Sequence, residues 1–184
     1  RPALLALAER LLERDGLLVV DEAFADADPA CSLAGDTAGP LPILVLKSFG
    51  KYFGYAGLRL GFALCGGALA GRIAARLGPW AVSGPAMAVG AAALRAEAAT
   101  GAVRARLEAQ ARMTRETLST AGLTIAGGTA MFTLVRDEGA AAIFERLAAR
   151  HILTRPFAYE PAWLRFGNIR DDIEAERLAG ALCC

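Results

Sequence analysis

The stretch Ser48-Phe49-Gly50-Lys51-Tyr52-Phe53-Gly54-Tyr55-Ala56-Gly57-Leu58-Arg59-Leu60-Gly61 sets a lysine and an arginine eight positions apart in a glycine-studded loop between two apolar segments. That pattern describes a site rather than a core. Upstream, the apolar run Leu17-Leu18-Val19-Val20 ends in Asp21-Glu22-Ala23-Phe24, so a carboxylate stands thirty positions before Lys51 at the end of what reads as a buried strand. The carboxyl ends of such strands are where α/β folds place their ligands.

Around this segment the pattern alternates helix and strand. Pro2 to Asp15 repeats apolar residues at helical spacing and stops at Asp15-Gly16. Leu17 to Asp21 and Ile43 to Leu46 are short apolar runs, as expected for strands of a parallel sheet covered on both faces. Glu22 to Pro42 reads as a surface excursion with at most one helical turn. Leu58 to Leu64 predicts a third strand, too close to its predecessor for a helical crossover and therefore antiparallel to it. A helix is expected over Ala68 to Leu77. A longer alanine-rich one starts at Pro85, breaks near Thr100-Gly101 and ends at Ala121-Gly122. Beyond it come strands at Leu123 to Ile125, Met131 to Val135, Ile152 to Thr154 and Trp163 to Phe166, with helices from about Ala140 to Arg150 and from Asp171 to Leu182. The expected organisation is part of a large α/β domain over 1–99, followed by a small α+β domain over 100–184.

Composition narrows the partners. A net charge of +1 with no basic stripe and no acidic tail argues against nucleic acid. The least polar stretch, Gly78 to Leu94, is interrupted by Pro79, Ser83, Gly84, Pro85 and Gly90 and makes a poor membrane span. Cys31, Cys65, Cys183 and Cys184 lack the spacing of a zinc site, and the adjacent Cys183 and Cys184 are poorly placed to bridge each other. A reducing cytoplasm and no metal are the expectation. A first residue that is not Met, with no leader after it, reads as a piece of a longer chain. Gly66-Gly67-Ala68-Leu69-Ala70-Gly71 is followed by Arg72-Ile73 and lacks the Lys-Ser/Thr of a phosphate loop.

Lysine, carboxylate and arginine are three different chemical tools. One arrangement uses all three: pyridoxal phosphate held by a lysine Schiff base, with an Asp on the pyridine nitrogen and an Arg on the phosphate. Taken alone, Lys51 reads as a solvated surface residue. With Asp21 and Arg59 it reads as the nucleophilic amine, expected to be partly desolvated by its aromatic neighbours. Asp21 reads as a turn residue or as the buried carboxylate that keeps the ring nitrogen protonated. Arg59 offers a bidentate fork to a phosphate, or a structural ion pair. Ser48 has a hydroxyl for the same phosphate. Glu22 reads as solvent-facing or locally paired. His151, the sole histidine, falls just past a helix end, where a solvated role is expected.

These segments resemble the strand-end Asp, the Ser-x-x-Lys and the Gly-Leu-Arg-x-Gly of the class I/II aminotransferases of fold type I, and within them the histidinol-phosphate aminotransferase branch. Gly78 to Pro85, Leu153 to Phe157 and Trp163 to Gly167 are most similar to the threonine-phosphate decarboxylases of cobalamin biosynthesis. The resemblance spans nearly the whole chain and implies the C-terminal half of a bacterial pyridoxal-phosphate enzyme, homodimeric at full length, acting on a small phosphorylated amino acid. It implies Lys51 and Asp21 as catalytic residues, Asp21, Ser48, Lys51 and Arg59 as cofactor ligands, and Arg165 as the clamp on the substrate carboxylate. Arg155 reads equally as a second anion contact or a surface arginine. Three activities follow as expectations: decarboxylation of threonine phosphate, transamination of the histidinol-phosphate type, or an inactive truncated fragment. The sequence departs from the family pattern at Phe24, where many members carry a tyrosine whose hydroxyl bonds the cofactor ring oxygen. The family's N-terminal half, with its stacking aromatic, its Asn and the glycine-rich part of the phosphate cup, is not in this sequence.

Overall fold

A computed structural model describes residues 1–183. The chain divides into two compact units, Arg1–Thr100 and Gly101–Cys184.

In the first unit, α1 (Pro2–Leu12) begins with proline in its first turn, where the missing N–H costs nothing. Leu4, Leu5, Ala8 and Leu11 recur on one face and pack on Leu18, Ile43 and Val45. The helix stops where Asp15 turns left-handed, with φ 50°, and the Gly16 N–H returns to the Leu11 carbonyl at 2.8 Å. A three-stranded sheet follows in the order β1 (Leu18–Asp21), β2 (Ile43–Ser48), β3 (Gly61–Leu64). β1 and β2 are parallel, β3 is antiparallel to β2 as the short connection requires, and Asp21 lies opposite Leu46 while Ser48 lies opposite Gly61. β3 starts later than its apolar run suggests, because Ala56–Leu58 is a 3-10 turn and Arg59 adopts φ 52°.

The sheet departs from expectation in one respect. Leu18, Val20, Ile43, Val45 and Leu64 face the core under α1, but Val19 (52% exposed) and Leu46 (38% exposed) point from the opposite face, so among the described residues only one face is covered. The excursion between β1 and β2 holds three 3-10 turns, Ala25–Ala27, Pro29–Cys31 and Ala34–Ala38, rather than one. α2 (Gly67–Leu77) leads to α3 (Gly84–Arg95), whose N-cap Ser83 accepts the Ala86 N–H. The long helical stretch breaks at Ala96 and not at Thr100-Gly101. α4 (Glu97–Thr120) continues through Gly101, since one exposed glycine costs a long helix only about 1 kcal/mol. Nothing in the local sequence explains the break at Ala96. Trp80 is 91% exposed.

The second unit carries an antiparallel sheet in the order β4-β5-β7-β6, built from β4 (Thr124–Thr129), β5 (Phe132–Arg136), β6 (Arg155–Pro156) and β7 (Trp163–Gly167). β6 begins at Arg155, after the expected Ile152 to Thr154, because Arg155 is the first residue to find a partner on β7. The helices α5 (Ala140–Ala149) and α6 (Asp172–Leu182) complete the unit. Its core gathers Leu118, Val135, Ile143, Leu147, Leu164, Phe166 and Leu178. Each such side chain contributes roughly 1.5–3 kcal/mol by leaving water. Cys31, Cys65 and Cys183 are free thiols, whereas Cys184 lies outside the described residues. Among the described residues no helix is long and apolar enough to cross a membrane.

Candidate active site

Strand parity assembles the first group of side chains. Asp21 is opposite Leu46 on β2, and Ser48 is two residues further along, so Asp21 and Ser48 emerge on the same, uncovered face at the carboxyl ends of β1 and β2. Lys51 lies in the turn just after β2, and its ammonium sits 5.4 Å from the centroid of Phe24, three residues beyond Asp21. Arg59 precedes β3 by two residues and reaches the same end, since the Phe49 N–H bonds the Leu60 carbonyl at 3.1 Å and Ser48 pairs with Gly61. The fold therefore brings Asp21, Ser48, Lys51 and Arg59 to one end of one small sheet.

Packing behind the loop holds this end in shape. Phe49 is buried and stacks on Phe53, with centroids 4.2 Å apart, and tilts against Phe62. Tyr52 is buried with its ring edge against Phe53. α3 approaches closely at Gly90, where a Cβ would lie 2.4 Å from Leu60 Cδ2. Backbone bonds from Gly54 N–H to the Lys51 carbonyl (3.0 Å) and from Tyr55 N–H to the Phe49 carbonyl (2.9 Å) close the turn.

The two lysines of the sequence differ in their partners. Lys47, on β2, donates to Glu22 at 2.8 Å and to Asp26 at 3.1 Å. Of the two expectations for Glu22, solvent-facing or locally paired, the structure shows the pair: it is buried, and besides Lys47 it accepts from the Ser32 hydroxyl (2.5 Å) and the Leu33 N–H (2.6 Å). Burial pushes its carboxyl up, but the bonds from Lys47, Ser32 and Leu33 and the Lys47 charge outweigh it, and the group settles below the usual carboxylate range. Burial likewise pulls Lys47 down, while its two carboxylates hold it above the ordinary lysine value. Lys51, by contrast, pairs with no carboxylate among the described residues. The sequence singled out Lys51 and gave no role to the Glu22–Lys47–Asp26 cluster. The one available signal was Lys47 itself, a cation inside an otherwise apolar strand.

Two expectations are corrected here. Asp21, expected buried, is exposed, because it stands on the uncovered sheet face; its Oδ1 accepts the Ala23 N–H at 2.9 Å. Lys51, expected partly desolvated, is exposed too, since Phe49 and Tyr52 turn inward while Lys51 turns out. Arg59 donates to the Ala56 carbonyl of its own turn at 3.2 Å and pairs with no carboxylate among the described residues. Ser48 Oγ accepts the Gly50 N–H at 3.2 Å. A lysine without an ion pair, a strand-end carboxylate and an unpaired arginine around one open end fit pyridoxal phosphate; Phe24 adds a ring and no hydroxyl.

A second group forms in the other unit. Arg155 and Arg165 are direct cross-strand partners on β6 and β7, so both project from the face opposite Leu164 and Phe166. Arg165 lies with its guanidinium carbon 5.1 Å from the Phe132 ring centroid, while Arg155 is exposed. Like charges opposed on neighbouring strands repel, and an anion between them reverses the sign. Elsewhere, Ser83 is engaged as the cap of α3, and His151 is exposed with φ 58°.

Comparison with known proteins accords with this geometry. A threonine-phosphate decarboxylase from a Sinorhizobium species is 45% identical over 179 residues, covering 97% of this chain and 53% of that protein. The structure of histidinol-phosphate aminotransferase from Clostridium acetobutylicum superposes with a TM-score of 0.87 at 19% identity, over 99% of this chain and 57% of that one. That of the Sinorhizobium meliloti histidinol-phosphate aminotransferase, in complex with pyridoxal-5'-phosphate, gives 0.75 at 24% identity, over 96% and 52%. The fold is that of the C-terminal half of fold type I aminotransferases, and the chain spans about half the length of the curated relatives it matches. With the aminotransferase class I and II model matching residues 1–182, the chain belongs to the class I and II aminotransferase family, whose members depend on pyridoxal phosphate.

Proposed function

We propose that this chain is the lysine-bearing part of an enzyme that decarboxylates L-threonine O-3-phosphate to aminopropanol phosphate, a step of cobalamin biosynthesis. The observation that carries the reading is the 45% identity to threonine-phosphate decarboxylase over nearly the whole chain. The cofactor, when bound, supplies an electron sink for the pair left on the substrate α-carbon. Lys51 would hold its aldehyde carbon, Asp21 its ring nitrogen, and Ser48 and Arg59 its phosphate.

The chain's own residues then divide the work. Asp21 would supply a negative charge that keeps a proton on the cofactor's ring nitrogen. Lys51 takes and returns protons at its Nζ, a role open to it because no carboxylate among the described residues claims the ammonium. Arg165 orients the substrate carboxylate through its two parallel N–H donors, which selects the bond that breaks. Arg155, its cross-strand neighbour, offers a second cationic contact to the substrate phosphate. A cytoplasmic, homodimeric enzyme of the relatives' full length is the setting in which this reading is made.

The test gives threonine phosphate to the natural protein that carries this chain. Release of carbon dioxide and aminopropanol phosphate, with little amino transfer to 2-oxoglutarate, is expected. Efficient transamination of histidinol phosphate with threonine phosphate inert would overturn the reading in favour of the aminotransferase.

A further inference from the structure

The Lys51 loop is tied to one place that the chemistry above does not use. The hydroxyl of the buried Tyr52, next to Lys51, donates to the main-chain carbonyl of Thr100, forty-eight positions later in the first turn of α4. Thr100 is the last residue of the first unit, and α4 runs on through Gly101 without interruption. Its own first turn is firmly built: Thr100 N–H bonds the Ala96 carbonyl at 3.0 Å, and its hydroxyl donates to the Glu97 carbonyl at 2.8 Å. A helix carbonyl has a second lone pair, so it can take the phenol in addition to its helical partner.

We infer that Tyr52 is the positioning residue of Lys51, its hydroxyl fastening the lysine loop to the first turn of α4 so that the Nζ is held where a cofactor aldehyde meets it. Lys51 is exposed and has no ion pair among the described residues, so apart from its ammonium lying 5.4 Å from the Phe24 ring centroid its own side chain is weakly held. The residues that can fix it are its neighbours. On the N-terminal side, Phe49 is locked by stacking on Phe53 and by its N–H to Leu60. On the C-terminal side the lock is Tyr52, whose ring is held by Phe53 and whose hydroxyl supplies a directional bond. Ring burial alone fixes depth but leaves rotation and sliding; the bond to Thr100 removes them. The inference rests on the reading of Lys51 as the cofactor lysine.

The test compares Tyr52→Phe with Tyr55→Phe, the latter an exposed tyrosine of the same loop. Two signals are read on the whole chain: hydrogen exchange of the Gly54 and Tyr55 amides without cofactor, and the rate at which added pyridoxal phosphate develops the absorbance band of the lysine-bound form. Loss of one buried hydrogen bond corresponds to about tenfold. Tyr52→Phe should speed exchange at both amides and slow cofactor attachment by about that factor, with Tyr55→Phe like the parent in both. Faster exchange with an unchanged attachment rate would reduce Tyr52 to a structural tie and overturn the inference, as would unchanged exchange. If the parent protein develops no band while Tyr52→Phe still speeds exchange, the tether stands and the assignment of Lys51 falls.

Discussion

Lys47 and Lys51 stand four positions apart, yet the first is enclosed by carboxylates and the second, among the described residues, by none. Reduction of cofactor-loaded protein with borohydride, followed by peptide mapping, should therefore find the pyridoxyl group on Lys51. Label on Lys47 would mean that its bonds to Glu22 and Asp26 break on cofactor binding. The same cluster predicts a stability effect. Lys47→Met leaves the buried Glu22 carboxylate without its counter-charge and should cost about 3 kcal/mol at neutral pH in a urea titration. Because Glu22 is lowered on folding, its contribution is present above its unfolded value of about 4.3 and is lost as pH falls through the lowered folded value. Lys47 is raised, so its share holds below about 10.4 and is lost as pH rises through the raised folded value. The deficit of Lys47→Met should accordingly shrink as the pH is taken down through the Glu22 titration, where a neutral acid needs no partner; a deficit independent of acid pH would remove the ion pair as its cause. At Arg165 the effect falls on activity: on the role proposed for it, Arg165→Ala in the natural protein should lower kcat/KM by about a hundredfold or more, through lost orientation of the substrate carboxylate.

At the scale of elements, the β4–β5 hairpin shows how a glycine decides a register. The pairing shifts between Ile125 and Gly127, and at Gly128, with φ 156°, a Cβ would lie 2.5 Å from the Phe132 carbonyl oxygen. That oxygen belongs to the backbone and cannot swing away. Gly128→Ala should destabilise the protein by about 2 kcal/mol, read as a lower urea midpoint at unchanged slope; a neutral result would show that the hairpin shifts register freely. Hairpins of this kind were only partly legible. The apolar content of Met131 to Val135 located β5, but nothing in Thr124 to Thr129, with its two central glycines, marked a strand of that length. β7 was readable to the side chain, because Leu164 and Phe166 alternate with Arg165 and burial follows the alternation. β6 was not, since a two-residue strand is defined by its neighbour and carries no period of its own. The strands β1 and β2 and the turn that carries Lys51 were legible, because short apolar runs there end in polar and glycine-rich segments. What the sequence left out was exposure: a run such as Leu17 to Val20 reads as buried on both faces whether or not the covering layer belongs to the same stretch of chain.

The uncovered face of the β1-β2-β3 sheet carries the argument to the whole molecule. Val19 and Leu46 are large apolar side chains in solvent, and Asp21 stands on the same face at the carboxyl end of β1. In water, the attraction between the Asp21 carboxylate and a protonated ring nitrogen is strongly screened; beneath a covering layer the same pair is worth several times more. The phosphate contacts proposed for Ser48 and Arg59 would be subject to the same screening. A protein of the relatives' full length built around this chain should for that reason bind pyridoxal phosphate about a hundredfold more tightly than residues 1–184 alone, the equivalent of about 2.7 kcal/mol. A fluorescence titration of the two proteins with cofactor measures the difference directly, and Asp21→Asn sharpens it. Removing the charge should cost the longer protein much more affinity than the shorter one, because the interaction is strong only where water is excluded. Equal affinities for the two lengths, or equal losses on Asp21→Asn, would mean that the open face is no part of the cofactor site and that the four residues at the sheet end bind it unaided.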